Sequence, residues 1–469
     1  MEADAAQRFA QEQFGRASLG DERRTRRLVE VAAAFARGGG GENGGTITSV
    51  IRDWSQAKAA YRLLDRPEVT HEAVLAGHSQ RVLEATAVPG DYLLIEDTTT
   101  VAYPDAAGTR GLGPIGEDYT RGLWVHSTLA VKMDWATHER HLLGLLGQRV
   151  WARPVERPTG RRPSNGRGKE SNHARQQRQD RESGRWMASL EAAGGPLGAT
   201  TWTYVADRES DIYELFQSAW VNGWNYVIRA VHRRALASGG GEWAGQDLFT
   251  AAAGGTVRGQ VEVELPRQGR RARLEVRSTR LELRGPPRPG GRLENHPVNV
   301  VWAREIAPPP GQEPVHWVLL TDLPVDHLDQ CRRVLAIYTC RWLIEEWHKA
   351  LKTGLRVEDS QLSNTRRLSA LLAILSVVAV FLLRQKLLAR ADPQAPLDPQ
   401  QTDPAMQAVL TKLYPPRGRP TRRWLWVSIA RLGGFLARRG DGDPGWLTLW
   451  RGWQTLMTLV RGYELADTS

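Results

Sequence analysis

The sequence contains very little cysteine. Only two cysteines, Cys331 and Cys340, occur in 469 residues. This scarcity excludes a disulfide framework and a cysteine-rich zinc site, and it fits a reducing compartment. The N-terminal stretch MEADAAQRFAQEQFG lacks the apolar core of a signal peptide. We therefore expect a cytoplasmic protein.

Long hydrophobic runs are also absent. The longest apolar run extends over 15 residues, from Ser369 to Leu383, and ends at Arg384. A membrane-spanning helix needs about 20 apolar residues. The run therefore predicts a buried helix rather than a membrane anchor. No period of 20 to 50 residues recurs, which excludes a solenoid.

Acidic residues are too few to balance the basic ones. The chain has 63 Lys and Arg against 52 Asp and Glu, a net charge of +11, which favours a polyanionic partner. Between Arg153 and Arg185, ten basic residues stand against four acidic ones in a Gly, Pro, Ser and Gln-rich context. This stretch predicts a mobile basic loop, either a solubilising insertion or a DNA contact.

The length predicts two or three domains, of which the first is helical. Residues 4–36 and 48–83 have helical patterns, separated by a glycine-rich break. In the second stretch Trp54, Ala57, Tyr61 and Leu64 recur at helical spacing. Clustered arginines in the first stretch form either a solvated face or a phosphate-contacting surface. They are Arg23, Arg24, Arg26 and Arg27.

Two hydrophobic strand patterns each end in a carboxylate. YLLIEDTTT ends its apolar part at Asp97, and TWTYVADRES ends at Asp207. Strand ends are where α/β folds present functional side chains, although a single aspartate there is more often a cap or turn residue. Glu96 is expected on the opposite face from Asp97, whereas Glu209 and Asp211 lie past the strand.

A region of alternating apolar and polar residues follows, at about 224–322, and predicts an all-β subdomain. A Pro, Gln and Arg-rich linker at 392–422 and tryptophan-rich helices close the chain. Between these regions lies YTCRWLIEEWHKALK. On one α-helix, Tyr338, Arg341, Glu345 and Lys352 would share a stripe about 60° wide, while Glu346 would point about 100° away.

This stripe admits two interpretations. Exposed helices carry such spacings as solvated ion pairs. Alternatively, Glu345 is a metal ligand, and Arg341 and Lys352 bind phosphates beside it. Two strand-end aspartates and a helix glutamate can hold two divalent metals about 4 Å apart, as in-line displacement at phosphorus requires. Oxygen ligands suit magnesium, with manganese as a substitute. We therefore expect two ions at Asp97, Asp207 and Glu345.

The spacing Tyr, two residues, Arg, three residues, Glu, six residues, Lys is the third-acid motif of a known family. Five motifs occur in that family's order: IEDTT, GLWVHS, DRESDI, YTCRWLIEEWHKALKTG and SIARLGGF. Over essentially its full length the chain resembles the IS-four family of bacterial DDE transposases.

The resemblance implies an α/β fold with an RNase H-like catalytic domain at 76–388, interrupted by the all-β insertion. Helical DNA-binding and dimerisation domains are implied at 1–75 and 389–469. It also implies cut-and-paste transposition in the bacterial nucleoid: hydrolysis at the transposon end, hairpin formation by the freed 3′-OH, hairpin opening and joining to target DNA. Asp97, Asp207 and Glu345 would be the catalytic acids.

Further roles follow from the resemblance alone. Trp317 would stack on a flipped base, although a core position is the simpler interpretation of its alternation with Leu319. Arg229 would contact DNA, yet Val231 stands where the family has a second basic residue. Tyr338 would neighbour the DNA backbone. Arg23, Arg24 and Arg27 would bind transposon ends, and two copies would pair in a synaptic complex. His126 is expected to be structural.

Two other functions stay open at this point. The first is a DNA-binding repressor or architectural factor with a dead active site, against which the three acids argue. The second is a stand-alone nuclease, which would not need the C-terminal helices.

Overall fold

The computed structural model describes most of the chain from residue 5 to residue 467. Outside the described part lie 38–44, 105–107, 117–119, 155–181, 197, 238–242, 244, 266–268, 289, 398–402 and 439. Most of the basic stretch predicted as a mobile loop falls outside the described residues.

The N-terminal part is helical, as its sequence pattern predicts. Asp21 and Thr70 cap two of its helices by accepting backbone N–H bonds. The predicted helical spacing from Trp54 to Leu64 is confirmed, with Ala57 and Leu64 buried and Trp54 62% exposed. The helices are α1 (Ala5–Phe14), α2 (Glu22–Ala36), α3 (Ile47–Val50), α4 (Trp54–Asp65) and α5 (His71–Thr86).

Ten of the described strands form one mixed sheet. Its first half combines three parallel neighbours with an antiparallel hairpin: β1 is parallel to β5 and antiparallel to β3, which pairs with β4. Helix α6 (Glu182–Ala193) lies between β4 and β5. The strands are β1 (Gly90–Ala102), β2 (Gly113–Pro114), β3 (Arg121–Met133), β4 (Arg140–Trp151) and β5 (Thr200–Ala206).

The second half of the sheet continues the first. After α7 (Tyr213–Val221), β6 pairs in parallel with β5 and antiparallel with β12, so the predicted subdomain shares the sheet instead of forming its own. The order is β2-β3-β1-β5-β6-β12-β11-β8-β7. The strands are β6 (Asn225–Arg229), β7 (Thr256–Leu265), β8 (Arg270–Leu283), β9 (Pro287–Arg288), β10 (Gly291–Arg292), β11 (His296–Glu305) and β12 (His316–Thr321).

The predicted all-β character of residues 224–322 needs correction. The segment contains α8 (Leu248–Gly254), whose N-cap Asp247 accepts the backbone N–H groups of Phe249 and Thr250. Leu248, Ala251 and Ala252 are buried on one side of this short helix. Their spacing of three and four is helical, and it overrides the β pattern of the surrounding sequence.

The C-terminal half is again helical. Its longest helix, α11, is the predicted buried helix, extended in both directions. It is long and apolar enough to span a bilayer, with mean hydropathy 2.1, but 78% of that stretch is buried inside the protein. The helices are α9 (Leu328–Thr339), α10 (Trp342–Lys349), α11 (Thr365–Ala391), α12 (Pro404–Leu413), α13 (Arg422–Leu432) and α14 (Trp446–Asp467).

Two hydrophobic cores cover the two faces of the sheet. Leu93 and Ile95 of β1 face a core shared with the N-terminal helices and with α9, α10 and α11. Tyr92 and Leu94 face the opposite core, which includes α7 and α8. The alternation along β1 therefore decides which helices each side chain meets.

Helices α13 and α14 approach each other closely at glycines. A Cβ atom added to Gly452 would lie 1.7 Å from the carbonyl oxygen of Ile429, and one added to Gly433 would lie 1.9 Å from that of Thr448. Gly462 lies on the same helix as Gly452, and no described atom is within 4 Å of its added Cβ. The two glycines of α14 therefore have opposite environments.

We expect Gly452→Ala to destabilise the C-terminal helices by about 1–3 kcal/mol, because the methyl group forces α13 and α14 apart. Gly462→Ala, the matched control, should stabilise them by up to ~1 kcal/mol, because alanine favours helix. Urea unfolding followed by tryptophan fluorescence measures both. Equal effects of the two substitutions would contradict the close approach.

Candidate active site

Asp97 and Asp207 lie at neighbouring positions of adjacent strands. The parallel pairing of β1 with β5 ends at Ile95 and Val205, two residues before each aspartate. Asp207 directly follows β5, as predicted, and its side chain accepts the backbone N–H of Glu209 at 2.9 Å. The two aspartates therefore lie at equivalent positions, just beyond the point where the parallel pairing of β1 with β5 ends.

The prediction that a strand ends at Asp97 is wrong. Strand β1 continues to Ala102, because its antiparallel pairing with β3 extends from Asp91 to Ala102. Asp97 therefore lies within β1, just beyond the region where β5 covers the other edge of that strand. The carboxylate shares its face with Leu93 and Ile95 and points towards α10.

The environment of Asp97 disfavours its ionised form. Burial and the neighbouring charge of Asp207 raise the pKa of Asp97 to about 7, although Arg341 and the backbone N–H of Thr98 oppose the shift. Arg341 Nη1 lies 3.6 Å from Asp97 Oδ2. Among the described ion pairs, Arg341 is the arginine partner of Asp97.

The third-acid segment is not the single α-helix that the stripe assumed. Helix α9 ends at Thr339, and the backbone N–H groups of Cys340 and Arg341 bond to carbonyls three residues back, which tightens the turn. Helix α10 then ends in a π-helical turn, Ala350–Gly354. These two irregularities change the angles between the four side chains.

The stripe residues still converge on the strand acids. Arg341 forms an ion pair with Glu345 as well as with Asp97. Burial lowers the pKa of Arg341, but Tyr338 and the three acids together raise it above its ordinary value. The ladder of Arg341 and Glu345 is largely buried, so the exposed ion-pair interpretation does not describe it.

Lys352 projects from the π-helical turn towards the same place. Burial lowers the pKa of the Lys352 amine, and Glu358 and Asp97 oppose that shift. The amine therefore approaches Asp97 from the other end of the motif. A one-residue π insertion re-aims a side chain in this way and often occurs at functional sites.

Tyr338 lies at the opposite end, against two residues of the β-rich segment. Its ring is 5.2 Å from the half-buried ring of Trp317, at an edge-to-face angle of 68°. Burial raises the pKa of Tyr338, and Arg229 and Arg341 lower it. Arg229 also donates to the carbonyl of His316 at 2.8 Å. The aromatic pair and the arginine thus border the acid pocket together.

A buried hydrogen-bond network surrounds Glu96, the residue before Asp97 on β1. Thr128 Oγ1 and the Tyr204 hydroxyl donate to the Glu96 carboxylate at 2.6 and 3.1 Å. His126 Nε2 lies 3.1 Å from the same carboxylate, and its Nδ1 lies 3.0 Å from Thr98 Oγ1. His126 is therefore structural, as expected. The alternation of β1 separates Glu96 from Asp97, but the sequence pattern does not reveal its partners.

Two family models match the ends of the chain. Transposase DNA-binding matches residues 6–69. Transposase Tn5 dimerisation domain matches residues 386–469. The two matches together are consistent with a Tn5-like transposase of the IS-four family. The fold of the chain is mixed α/β between a helical DNA-binding domain and a helical dimerisation domain, and its partners are DNA and a second copy of itself.

The three predicted arginines of the DNA-binding domain are engaged in ion pairs within the transposase. Arg23 pairs with Asp21 at 2.9 Å. The other two pair with glutamates, Arg24 with Glu68 at 3.1 Å and Arg27 with Glu30 at 2.7 Å. Each of the three arginines therefore has an acidic partner within the protein. Phosphates would have to replace the carboxylates.

The transposase has carboxylate side chains of the type that bind a divalent cation, but in the part of the chain that the structure describes they are not arranged as a complete metal site. Among the described residues, no group of three or more His, Cys, Asp and Glu side chains is arranged to hold a metal ion. Arg341 pairs with Asp97 and Glu345, where a cation would compensate their charge. Carboxylate oxygens and the raised pKa of Asp97 fit Mg²⁺. Binding would require Arg341 to move.

In metal-free buffer we expect stability to depend on the protonation of Asp97. Its folded pKa of about 7 exceeds the unfolded value of 3.8, so the folded state binds the extra proton between these pH values. The unfolding midpoint should therefore fall as pH rises from 4 to 7. Asp97→Asn should flatten this slope in thermal scans with chelator. Parallel pH profiles for the two proteins would contradict the assignment.

Removal of the Asp211 carboxylate should destabilise the protein far more than removal of the Asp207 carboxylate. The Asp211 carboxylate is buried, pairs with Arg234 at 2.5 Å and accepts backbone N–H groups from Val231 and His232. Asp211→Ala should cost about 3–5 kcal/mol, because Arg234 loses its buried partner. Asp207→Ala should change stability by less than about 1 kcal/mol. Urea unfolding of both variants tests this, and a reversed order would contradict it.

Proposed function

We propose that the chain is a DDE transposase that cuts and pastes DNA with the acids Asp97, Asp207 and Glu345. The observation that carries the proposal is the convergence of these carboxylates through Arg341, which pairs with Asp97 and Glu345. Largely buried acids grouped around one guanidinium form a site suited to phosphoryl transfer.

The sheet supports an RNase H-like catalytic domain. Three neighbouring strands, β1, β5 and β6, are parallel, and β3 and β4 continue the sheet antiparallel on one side. We take this domain as 76–388, with the β-rich insertion at about 224–322. The flanking proposals are a DNA-binding domain at 1–75 and a linker with dimerisation domain at 389–469, acting in the bacterial cytoplasm at the nucleoid.

Two Mg²⁺ ions, or Mn²⁺ in their place, would be held by Asp97, Asp207 and Glu345, and they would lower the pKa of the attacking hydroxyl and stabilise the leaving oxygen. The protein's own groups then orient the DNA. Arg341, released from its acids, and Lys352 would bind the phosphates beside the scissile bond. Tyr338 would border the same strand.

The proposed reaction sequence is the one that the family resemblance implies, with the same site used for every step. Water attacks the phosphorus at the transposon end, a P–O bond breaks, and a 3′-OH is freed. That 3′-OH attacks the opposite strand and forms a hairpin, which a second hydrolysis opens. The 3′-OH finally attacks target DNA and displaces another 3′-oxygen. Each step exchanges one P–O bond for another.

Trp317 and Arg229 suit the bent strand that hairpin formation requires. The half-buried Trp317 ring rests edge-to-face on Tyr338 at the border of the pocket. A base turned out of the stack can lie on such an aromatic surface. Arg229 beside it would bind the backbone, without help from Val231, which is 44% exposed. Arg23, Arg24 and Arg27 would contact the transposon ends by exchanging carboxylates for phosphates.

Asp97→Ala should lower magnesium-dependent nicking of the terminal repeats at least ~100-fold, because a metal ligand supplies several kcal/mol of transition-state stabilisation. Asp91→Ala is the matched control: Asp91 lies on the same strand and pairs with Arg333 at 3.1 Å, away from the pocket. It should nick normally. Gel assays with end DNA in Mg²⁺ and Mn²⁺ measure both variants.

Two results would contradict the proposed enzyme or its proposed active site. Binding of the correct ends without cutting in either metal would favour a DNA-binding repressor over an enzyme. Cutting that survives in Asp97→Ala would place the active site elsewhere.

A further inference from the structure

The Glu346 side chain joins three helices. Its Oε2 accepts hydrogen bonds from Lys386 Nζ at 2.7 Å and from Trp446 Nε1 at 3.0 Å. Its Oε1 accepts one from Lys349 Nζ at 2.9 Å. Lys386 lies near the end of α11, and Trp446 begins α14. The carboxylate next to Glu345 is therefore bound to helices 40 and 100 residues further along the chain.

This cluster of Glu346, Lys386 and Trp446 is largely shielded from water. The Lys386 side chain is 5% exposed, and its ammonium lies 4.4 Å from the centre of the Trp446 ring. Burial raises the pKa of Glu346, but Lys386 and Lys349 outweigh it and hold that pKa at about 2. Burial lowers the pKa of Lys386 to about 8 against the opposing charge of Glu346. The two side chains form a buried ion pair, with Lys386 Nζ 2.7 Å from Glu346 Oε2.

Two members of the cluster lie within the residues that match the dimerisation model, and Lys386 stands at the boundary with the proposed catalytic domain. The family match begins at Lys386 and includes Trp446. Trp446 and Trp450 also join the hydrophobic core that contains α10. Helix α14 contacts the π-helical turn that carries Lys352. A second ion pair, between Arg390 and Asp443 at 3.0 Å, ties the end of α11 to the residues before α14.

Apolar contacts hold one side of helix α10, because Leu343, Ile344 and Trp347 are buried in the core. Glu346 adds polar contacts on another side. The helix is eight residues long and is bounded by the tight turn at its start and by the π-helical turn. Glu345 and Glu346 are consecutive on it, about 100° apart. A rotation or shift of the α10 backbone at Glu346 would therefore move Glu345 with it.

We propose that Glu346 is a positioning residue through which the dimerisation domain fixes the orientation of Glu345. The inference rests on the proposed function, in which Glu345 is a metal ligand. Misplacing a reacting group by about 1 Å can cost about 100-fold in rate. Docking of α14 through Trp446 onto the Glu346–Lys386 ion pair is thus a condition for catalysis in the neighbouring pocket.

The test compares two lysines that bind the same carboxylate. Lys386→Met removes the buried partner, and Lys349→Met removes the partner that is 47% exposed. In the full-length protein on pre-bound terminal-repeat DNA, Lys386→Met should slow single-turnover nicking at least ~10-fold and raise the Mg²⁺ concentration for half-maximal rate. Lys349→Met should stay within about twofold of wild type. End-DNA affinity should be unchanged in both.

Two further variants keep the outcome decisive. Lys386→Arg should recover part of the lost rate, because it restores the cation. Glu346→Gln combined with Lys386→Met should be no slower than the slower single variant, because the two residues act as one unit.

A lowered unfolding midpoint with an unchanged nicking rate and unchanged Mg²⁺ dependence would overturn the proposal and leave a purely structural cluster. The Asp97→Ala variant distinguishes failure of the proposed function from failure of the positioning role. If Asp97→Ala still nicks DNA, the proposed function is wrong. If Asp97→Ala is inactive and Lys386→Met nicks at the normal rate, only the positioning role is wrong.

Discussion

The buried carboxylate of Glu96 is the constraint on which the candidate site depends. Its hydrogen bonds to His126, Thr128 and Tyr204 connect β1 to both neighbouring strands. A one-residue slip of β1 would leave these partners unsatisfied and would turn Asp97 into the core formed with α7 and α8. The network thus fixes the register of β1, and the register keeps Asp97 on the face of α10.

On that face the protein places acidic side chains close to one another. Burial and the proximity of Asp207 make ionised Asp97 unfavourable, and Arg341 compensates part of this cost. The same guanidinium is bound to Glu345. A metal cation would replace Arg341 at the acids, and a phosphate would replace the acids at Arg341. The two binding events would therefore favour each other. Under the proposed function, binding of metal and DNA would rearrange these ion pairs.

The sequence pattern locates the acids better than it describes their surroundings. Asp207 and the spacing from Tyr338 to Lys352 could be identified because strand ends and helical periodicity are local. The continuation of β1 beyond Asp97 depends on pairing with β3, which is not local, and so the predicted strand end was wrong. The tight turn at Arg341 and the π-helical turn also have no periodicity signal, since they arise from packing against distant elements.

Glu346 illustrates the same limit from the other direction. Angular spacing correctly separates it from the stripe of Glu345, but periodicity cannot identify what it faces instead. Its partners come from α11 and α14, far along the chain. Two adjacent acids on a short helix can thus serve two neighbours, one at the pocket and one at the dimerisation domain. Because the helix between them is rigid over a single residue, the docking of the C-terminal helices and the placement of Glu345 are not independent.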